Sequence, residues 1–272
     1  MVKKITKYFI MFAAIAILLV ELFPIIIIFL NGFKRDIDIW SGNPFQFKFT
    51  LKSYKKIFEK SDFLIGLKNS LIVGLANTAI SILAGSMASY GISRYKFKSR
   101  KFLAYSFLIS RMIPQISLAV PLYMLFRSMG LTDTVIALIL AYTSFNIPYV
   151  VWLLLPFFNS IPIEFEEAAL VDGCSRKQIF WKIFFPLAAP GIIVASIFVF
   201  ITSWNEFIYA LVLTGIRSKT APIVISAFLG QFAPEWGQIS AAGTFVLIPV
   251  FVFTLALQKY LIKGLMAGGI KG

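Results

Sequence analysis

Residues 163–186 read IEFEEAALVDGCSRKQIFWKIFFP, a polar island in an otherwise apolar chain. The island predicts two short helices hinged on a glycine. Pro162 suits a first helical turn, where its missing N–H is not needed. Glu164, Glu166 and Glu167 lie near that N-terminus, where carboxylates complement the helix dipole. Gly173 fits the left-handed residue that closes such a helix. Ser175 and Gln178 have the spacing of a capping box and open a second helix. Pro186 ends that helix or bends it. The apolar stretches on either side, 135–158 and 187–215, are long enough to cross a bilayer. The island is therefore expected to be a helical loop in water between two spans.

Working outward, the same composition runs through the whole chain. Of 272 residues, 59% are hydrophobic and 14% charged, with a mean hydropathy of +0.85. A soluble domain of this size carries more charge. The expected fold class is all-α and integral to a membrane, with length for about six helices of ~20 residues each. The net charge of +14 fits basic loops facing anionic headgroups of membrane lipid, and nucleic acid is not expected as a partner. Cys174 is the single cysteine, so no internal disulfide exists. Histidine is absent, which removes the commonest metal ligand and general base. No GxxxxGK[S/T] phosphate loop occurs, so any ATP that drives this protein is bound by another subunit.

The first span is expected at 8–30 and retained rather than cleaved, with the N-terminus in the cytoplasm. Residues 31–69 form a mixed external segment with Trp40, Phe45, Phe47 and Phe49 among lysines, partly helical over 51–59. Its eight Lys and Arg strain a positive-inside reading. The loop 93–101, however, packs five basic residues into nine positions, and density in short loops is the better guide. Further spans are expected at 70–92, 102–126, 135–158, 187–215 and 239–257. Ala84/Ala88 and Gly85/Ser89 are small-xxx-small pairs that permit close helix approach. Arg111, Pro114 and Pro121 interrupt the third span. The piece 222–232 is too short to cross and suits a re-entrant or interfacial hairpin. Six spans put both termini, loop 93–101 and the island on the cytoplasmic side. As domains this gives a first helix at 8–30, an external segment at 31–69, a five-helix core at 70–262 holding the loop 163–186, and a cytoplasmic tail at 263–272.

Candidate site residues divide between the two ends of the machine. Glu206, within Trp204-Asn205-Glu206-Phe207, is the most informative intramembrane charge, because a bare carboxylate in mid-span costs on the order of 3 kcal/mol. It lies twenty residues past Pro186, about 30 Å along a helix. That places it at a solvated external mouth, where Trp204, Asn205 and Glu206 are substrate-path candidates. Arg111 suits a structural or a pore role equally. Glu21 is expected to pack or line a cavity. Tyr123, Tyr142 and Tyr149 suit sugar faces or core packing. No paired carboxylates, nucleophile–base set or metal cluster is evident, so neither catalysis nor a cofactor is expected.

Glu167-Ala168-Ala169, then Gly173, then Ile183 and Pro186 resemble the EAA loop of the permease subunits of ABC importers, with Phe185 where the family has leucine. Arg94-Tyr-Lys-Phe-Lys98, Met112-Ile-Pro-Gln115, Ser203-Trp-Asn-Glu-Phe207 and the glycine-rich ending 258–272 are similar to the second permease of maltose-type carbohydrate importers. The resemblance covers the chain from about residue 70 onward. It implies a heterodimer with a second permease subunit, an ATP-binding-cassette ATPase dimer, an external solute-binding protein that delivers a sugar, and alternating access in a bacterial cell membrane. It further implies that Glu167, Ala168, Ala169, Asp172 and Gly173 seat in an ATPase groove. The physical reading concurs: alanines permit close approach, Glu167 offers a charge-assisted contact and Gly173 sets the bend. The competing readings are a secondary transporter or channel without an ATPase, a membrane enzyme, and an ABC permease for a non-sugar solute. A nearly charge-free midplane with no inverted repeat weighs against the first.

Overall fold

A backbone in lipid has no water to bond, so every N–H and C=O must be paired within the protein. The computed structural model meets this with helices alone among the residues it describes, 2–41, 43–59, 61–230 and 234–269. In chain order they are α1 Val2–Asn31, α2 Asp36–Ile39, α3 Lys52–Glu59, α4 Ser61–Arg94, α5 Arg100–Ser110, α6 Gln115–Ser128, α7 Val135–Ser160, α8 Glu164–Val171, α9 Arg176–Ile179, α10 Phe185–Leu187, α11 Ala189–Trp204, α12 Ile208–Leu213, α13 Ala221–Ala227 and α14 Trp236–Gly269. Phe180–Phe184 forms a π-helical turn between α9 and α10.

Four helices have a stretch long and apolar enough to cross a bilayer, over Thr6–Asn31, Asp62–Arg94, Val135–Ser160 and Trp236–Gln258. Two further apolar helix pairs are bent, each with the form of a broken span or a re-entrant loop: α5 with α6, by 94°, and Arg176–Leu187 with α11, by 77°. The expected single span 102–126 is thus two helices. Pro114 has extended backbone at φ −60° and ψ 130°, and a proline disfavours helix in the residue before it. At the second break, Pro186 has no N–H for the carbonyl of Lys182 and its ring crowds that turn. The preceding turn widens to the π form, and the axis turns at Ala188.

Other expectations shift similarly. The second span begins at Ser61 rather than 70, so the last nine residues of the expected external segment are helical. The fifth span, expected to be continuous over 187–215, ends at Trp204 and resumes as α12 after Asn205–Phe207. The sixth continues without a break through the expected tail to Gly269. Of the expected hairpin at 222–232, Ala221–Ala227 is helical, and 231–233 lie outside the described residues.

The chain forms two compact units, Met1–Leu64 with Val224–Pro249, and Ile65–Ile223 with Val250–Gly272. In the first, an aromatic cluster holds α3 to the start of α14: the Phe58 and Tyr54 rings meet Phe245 at 4.9 and 6.0 Å. In the second, α4 packs on α7. A Cβ at Gly85 would sit 2.6 Å from the Val150 Cβ, so only glycine admits this approach. Ser89 bonds the carbonyls of Gly85 and Val151 at 2.8 and 3.4 Å. The Gly85/Ser89 pair therefore serves packing within the chain.

One loop joint in the second unit had no counterpart in the expectations. Asp133, at φ +56°, accepts the backbone N–H groups of Gly215, Ile216, Arg217 and Ser218 at 2.8 to 3.1 Å and the Ser218 hydroxyl at 2.8 Å. Asn69 Nδ2 donates to the carbonyls of Arg217 and Lys219 at 3.0 and 2.9 Å. Burial alone would raise the Asp133 carboxyl, but the N–H groups of Gly215, Arg217 and Ser218 outweigh it and hold it well below the usual carboxylate range. A depressed carboxylate adds stability above its ordinary pKa of 3.8 and loses it as pH falls toward the lower folded value. Asp133→Ala is expected to lower the thermal midpoint of the purified protein at neutral pH. The gap from the unmutated chain should narrow as pH falls below about 4, as thermal scans across pH will read.

Candidate functional site

The island folds as its residues dictate. Glu164, Glu166 and Glu167 occupy the first turn of α8. Gly173 closes the helix at φ +78°, a conformation that costs a Cβ-bearing residue about 1–2 kcal/mol. Ser175 and Gln178 form the capping box, with Gln178 N donating to Ser175 Oγ at 3.3 Å and Ser175 N to Gln178 Oε1 at 2.7 Å.

Beneath this loop lies an ion cluster that the motif does not announce. Glu166, not Glu167, is the buried carboxylate of α8. It pairs with Arg176 of α9, and its Oε2 lies 4.0 Å from Arg94 Nε at the end of α4. Arg94 in turn donates to the carbonyls of Phe158 and Ile161, which α7 leaves unpaired at its C-terminus, at 2.7 and 2.5 Å. Its guanidinium stacks 4.4 Å above the Phe184 ring. Tyr90 adds an aromatic wall, its ring 5.3 and 5.1 Å from those of Phe180 and Phe184. Four elements, α4, α7, α8 and α9 with its π turn, thus meet on one buried salt cluster. No local signal singles out Glu166, since Glu166 with Ala169 and Glu167 with Leu170 are equivalent i, i+3 pairs.

The five expected coupling residues divide by face. Glu167, Ala168, Asp172 and Gly173 are exposed. Ala169 is 5% exposed and belongs to the core cluster around Tyr90, Phe158 and Phe184, so it supports the surface rather than forming it. Beside the exposed four stand bare apolar side chains, Phe165, Leu170 and Val171, the last 88% exposed. A rigidly backed apolar knob rimmed by carboxylates is suited to docking on a partner protein.

The substrate-path residues lie elsewhere in the second unit and are not what their spacing suggested. Trp204 is 1% exposed and stacks on Phe200 at 5.6 Å. Glu206, expected at a solvated rim, is 6% exposed. Its carboxylate accepts the N–H groups of Tyr209 and Ala210 at 2.8 and 3.1 Å, capping α12. The expectation assumed an unbroken helix to the mouth; the break at 205–207 creates orphan amides that the carboxylate satisfies. Asn205 alone of the three is exposed, with its Nδ2 bonded to the Ile201 carbonyl at 3.0 Å. Arg111 donates to the Phe145 carbonyl within α7 at 3.3 Å and covers the Tyr149 ring at 4.4 Å. Tyr142 is core, and Glu21 is exposed on α1.

A polar centre that sequence reading passed over joins three helices. Asn146 Nδ2 on α7 donates to Asn77 Oδ1 on α4 at 2.7 Å and to Ser203 Oγ on α11 at 3.1 Å. Asn77 Nδ2 donates to Thr143 Oγ1 at 2.8 Å, and Thr202 Oγ1 to Asn146 Oδ1 at 3.1 Å. Its signal was single asparagines at the middle of uncharged runs, where an amide needs partners.

Long apolar helices, together with a 163–186 loop whose exposed face is backed by an ion cluster, define a multi-pass membrane protein. The comparisons narrow this class. Residues 80–266 match the family described as binding-protein-dependent transport system inner membrane component, and the chain belongs to that family. It is 38% identical to the trehalose transport permease SugB of Mycobacterium tuberculosis, over 92% of this chain and 93% of that one. It is 34% identical to the trehalose/maltose permease MalG of Thermococcus litoralis, over 95% of each. The fold is similar to a chain of a bacterial importer of the acidic polysaccharide alginate, with a TM-score of 0.78, 21% identity, and coverage of 95% of this chain and 97% of that chain. The chain is therefore an ABC-type permease subunit rather than an enzyme, and the secondary-transporter, channel and membrane-enzyme readings fall.

Glu166→Ala leaves Arg94 and Arg176 without their carboxylate. Because Arg176 is half exposed, the expected loss is about 2 kcal/mol, below the 3–5 of a fully buried pair. Exposed Glu167→Ala should stay within about 0.5 kcal/mol. Denaturation of the purified variants in detergent measures both.

Proposed function

We propose that this chain moves a sugar, an oligosaccharide or related glycoside or polyol, delivered by an external binding protein and driven by an ATPase dimer docked on the 163–186 loop. The observation that carries the coupling role is the exposed face of α8 and the Gly173 turn, backed by the buried Arg94 and Glu166 side chains with half-exposed Arg176. A push on α8 reaches the ends of α4 and α7 through side chains that cannot yield without stranding a charge. The sugar class is supported by relatives whose names specify trehalose, trehalose/maltose and diacetylchitobiose. Six spans follow if each bent pair is one crossing, which leaves both termini and the 163–186 loop in the cytoplasm. A second permease and lipid would cover the apolar side chains exposed on α5 and α6, among them Phe102, Tyr105, Ile116 and Val120.

Gly173→Pro forces φ to about −65° where the chain needs +78°, and Glu167→Lys reverses the docking charge. Each is expected to reduce ATP-dependent sugar uptake by the reconstituted transporter to background while the protein remains in the membrane. Normal uptake and ATPase association in both would overturn the coupling assignment.

Cys174, the single cysteine, reports orientation. A membrane-impermeant thiol reagent added to intact cells should leave it unlabelled and should label it in inside-out vesicles. The reverse pattern would invert the topology.

A further inference from the structure

The basic residues of the 31–69 segment converge. In the first unit, a cavity of about 210 Å³ is lined by Lys34, Lys52, Lys56, Thr50, Gln238 and Asp36, with Arg35 and Ser53 completing the wall. Arg35 is committed to Asp38, at 2.8 and 2.7 Å. That leaves three ammonium groups facing one carboxylate, Asp36. Lys34 is 2% exposed, yet among the described residues no carboxylate is within ion-pair distance of it; its Nζ has the Phe47 ring at 5.2 Å. Burial draws its pKa below the ordinary lysine value, with Asp38 opposing. Gln238 is 4% exposed, and its Oε1 is buried without a hydrogen-bond donor. The Gln238 carbonyl is costly as it stands, since a buried polar atom left unpaired loses about 1–3 kcal/mol. The cavity is built for a ligand that brings negative charge and a donor together.

Its depth narrows the source. The apolar stretch of α1 ends at Asn31, three residues before Lys34, and that of α14 begins at Trp236, two before Gln238. The cavity therefore lies where both spans leave the hydrocarbon. Trp40 meets Trp236 edge-on at 6.4 Å, and Ile37, Trp40, Phe45 and Phe49 present exposed apolar faces, as side chains do at headgroup level. A phosphate diester suits three ammonium groups. A headgroup hydroxyl suits the Gln238 carbonyl, which would repel the bare carboxylate of a docking protein.

We propose that this cavity binds the headgroup of an anionic phospholipid, with its phosphate on Lys34, Lys52 and Lys56 and a headgroup hydroxyl on Gln238. The assignment explains why a segment expected outside the cytoplasm is so basic. The test uses the assembled transporter purified in mixed micelles of phosphatidylglycerol and phosphatidylcholine, with retained lipid read by native mass spectrometry. The unmutated complex should retain phosphatidylglycerol preferentially. Lys34→Gln with Lys52→Gln should lower that retention on the order of tenfold or more, the scale of a lost charge-assisted contact. Lys52→Gln with Lys56→Gln tests the rim without touching the buried lysine, and Lys55→Gln, outside the cavity, should change nothing. Equal retention of both lipids, or unaltered retention in both double variants, would overturn the proposal. So would saturation by inorganic phosphate with no lipid preference. Weaker capture of the external binding protein by the variants, with lipid retention unchanged, would replace the lipid with a protein carboxylate.

Discussion

A helix that stops or breaks strands amides or carbonyls that must find other partners, and this protein answers with charged side chains. Arg94 takes carbonyls at the C-terminal end of α7, and Glu206 takes the first amides of α12. Asp133 does the same for the turn at 215–218. Each charge is itself stabilised by the dipoles it terminates. The broken helices and the buried charges therefore require one another.

This constraint also shapes the coupling loop. Arg94 is a cap for α7 and a partner for Glu166 at once, so α8 cannot move independently of the two long helices behind it. The rings of Tyr90, Phe180 and Phe184 pack together beside that joint. The π turn before Pro186 carries the linkage on into α11. The exposed face of α8 is backed by a charge cluster as well as by apolar packing.

Between the two ends, the Asn77–Asn146–Ser203 centre ties α4, α7 and α11 through bonds that satisfy its amides. Satisfied networks fix register and resist rearrangement. The polar atoms there are spent on neighbouring helices, and the same is true of Glu206, which acts on backbone rather than facing an open path.

The island's helix, glycine hinge and capping box were legible in the sequence because they rest on local rules: propensity, left-handed geometry and side-chain reach of three residues. The apolar runs and their approximate ends were legible for the same reason. The sequence could not show which of the glutamates turns inward. Glu166 and Glu167 are neighbours with equal chemistry, and only the approach of Arg94, distant in the chain, distinguishes them. Likewise Glu206 could be placed along an ideal helix but not in a break. Whether a proline or a Trp-Asn-Glu stretch kinks a helix or ends it depends on which distant groups meet the freed backbone. The sequence alone determined the local elements of the 163–186 loop, its helices, glycine turn and capping box; tertiary structure decided which charges are buried, because their partners are supplied by packing rather than by spacing.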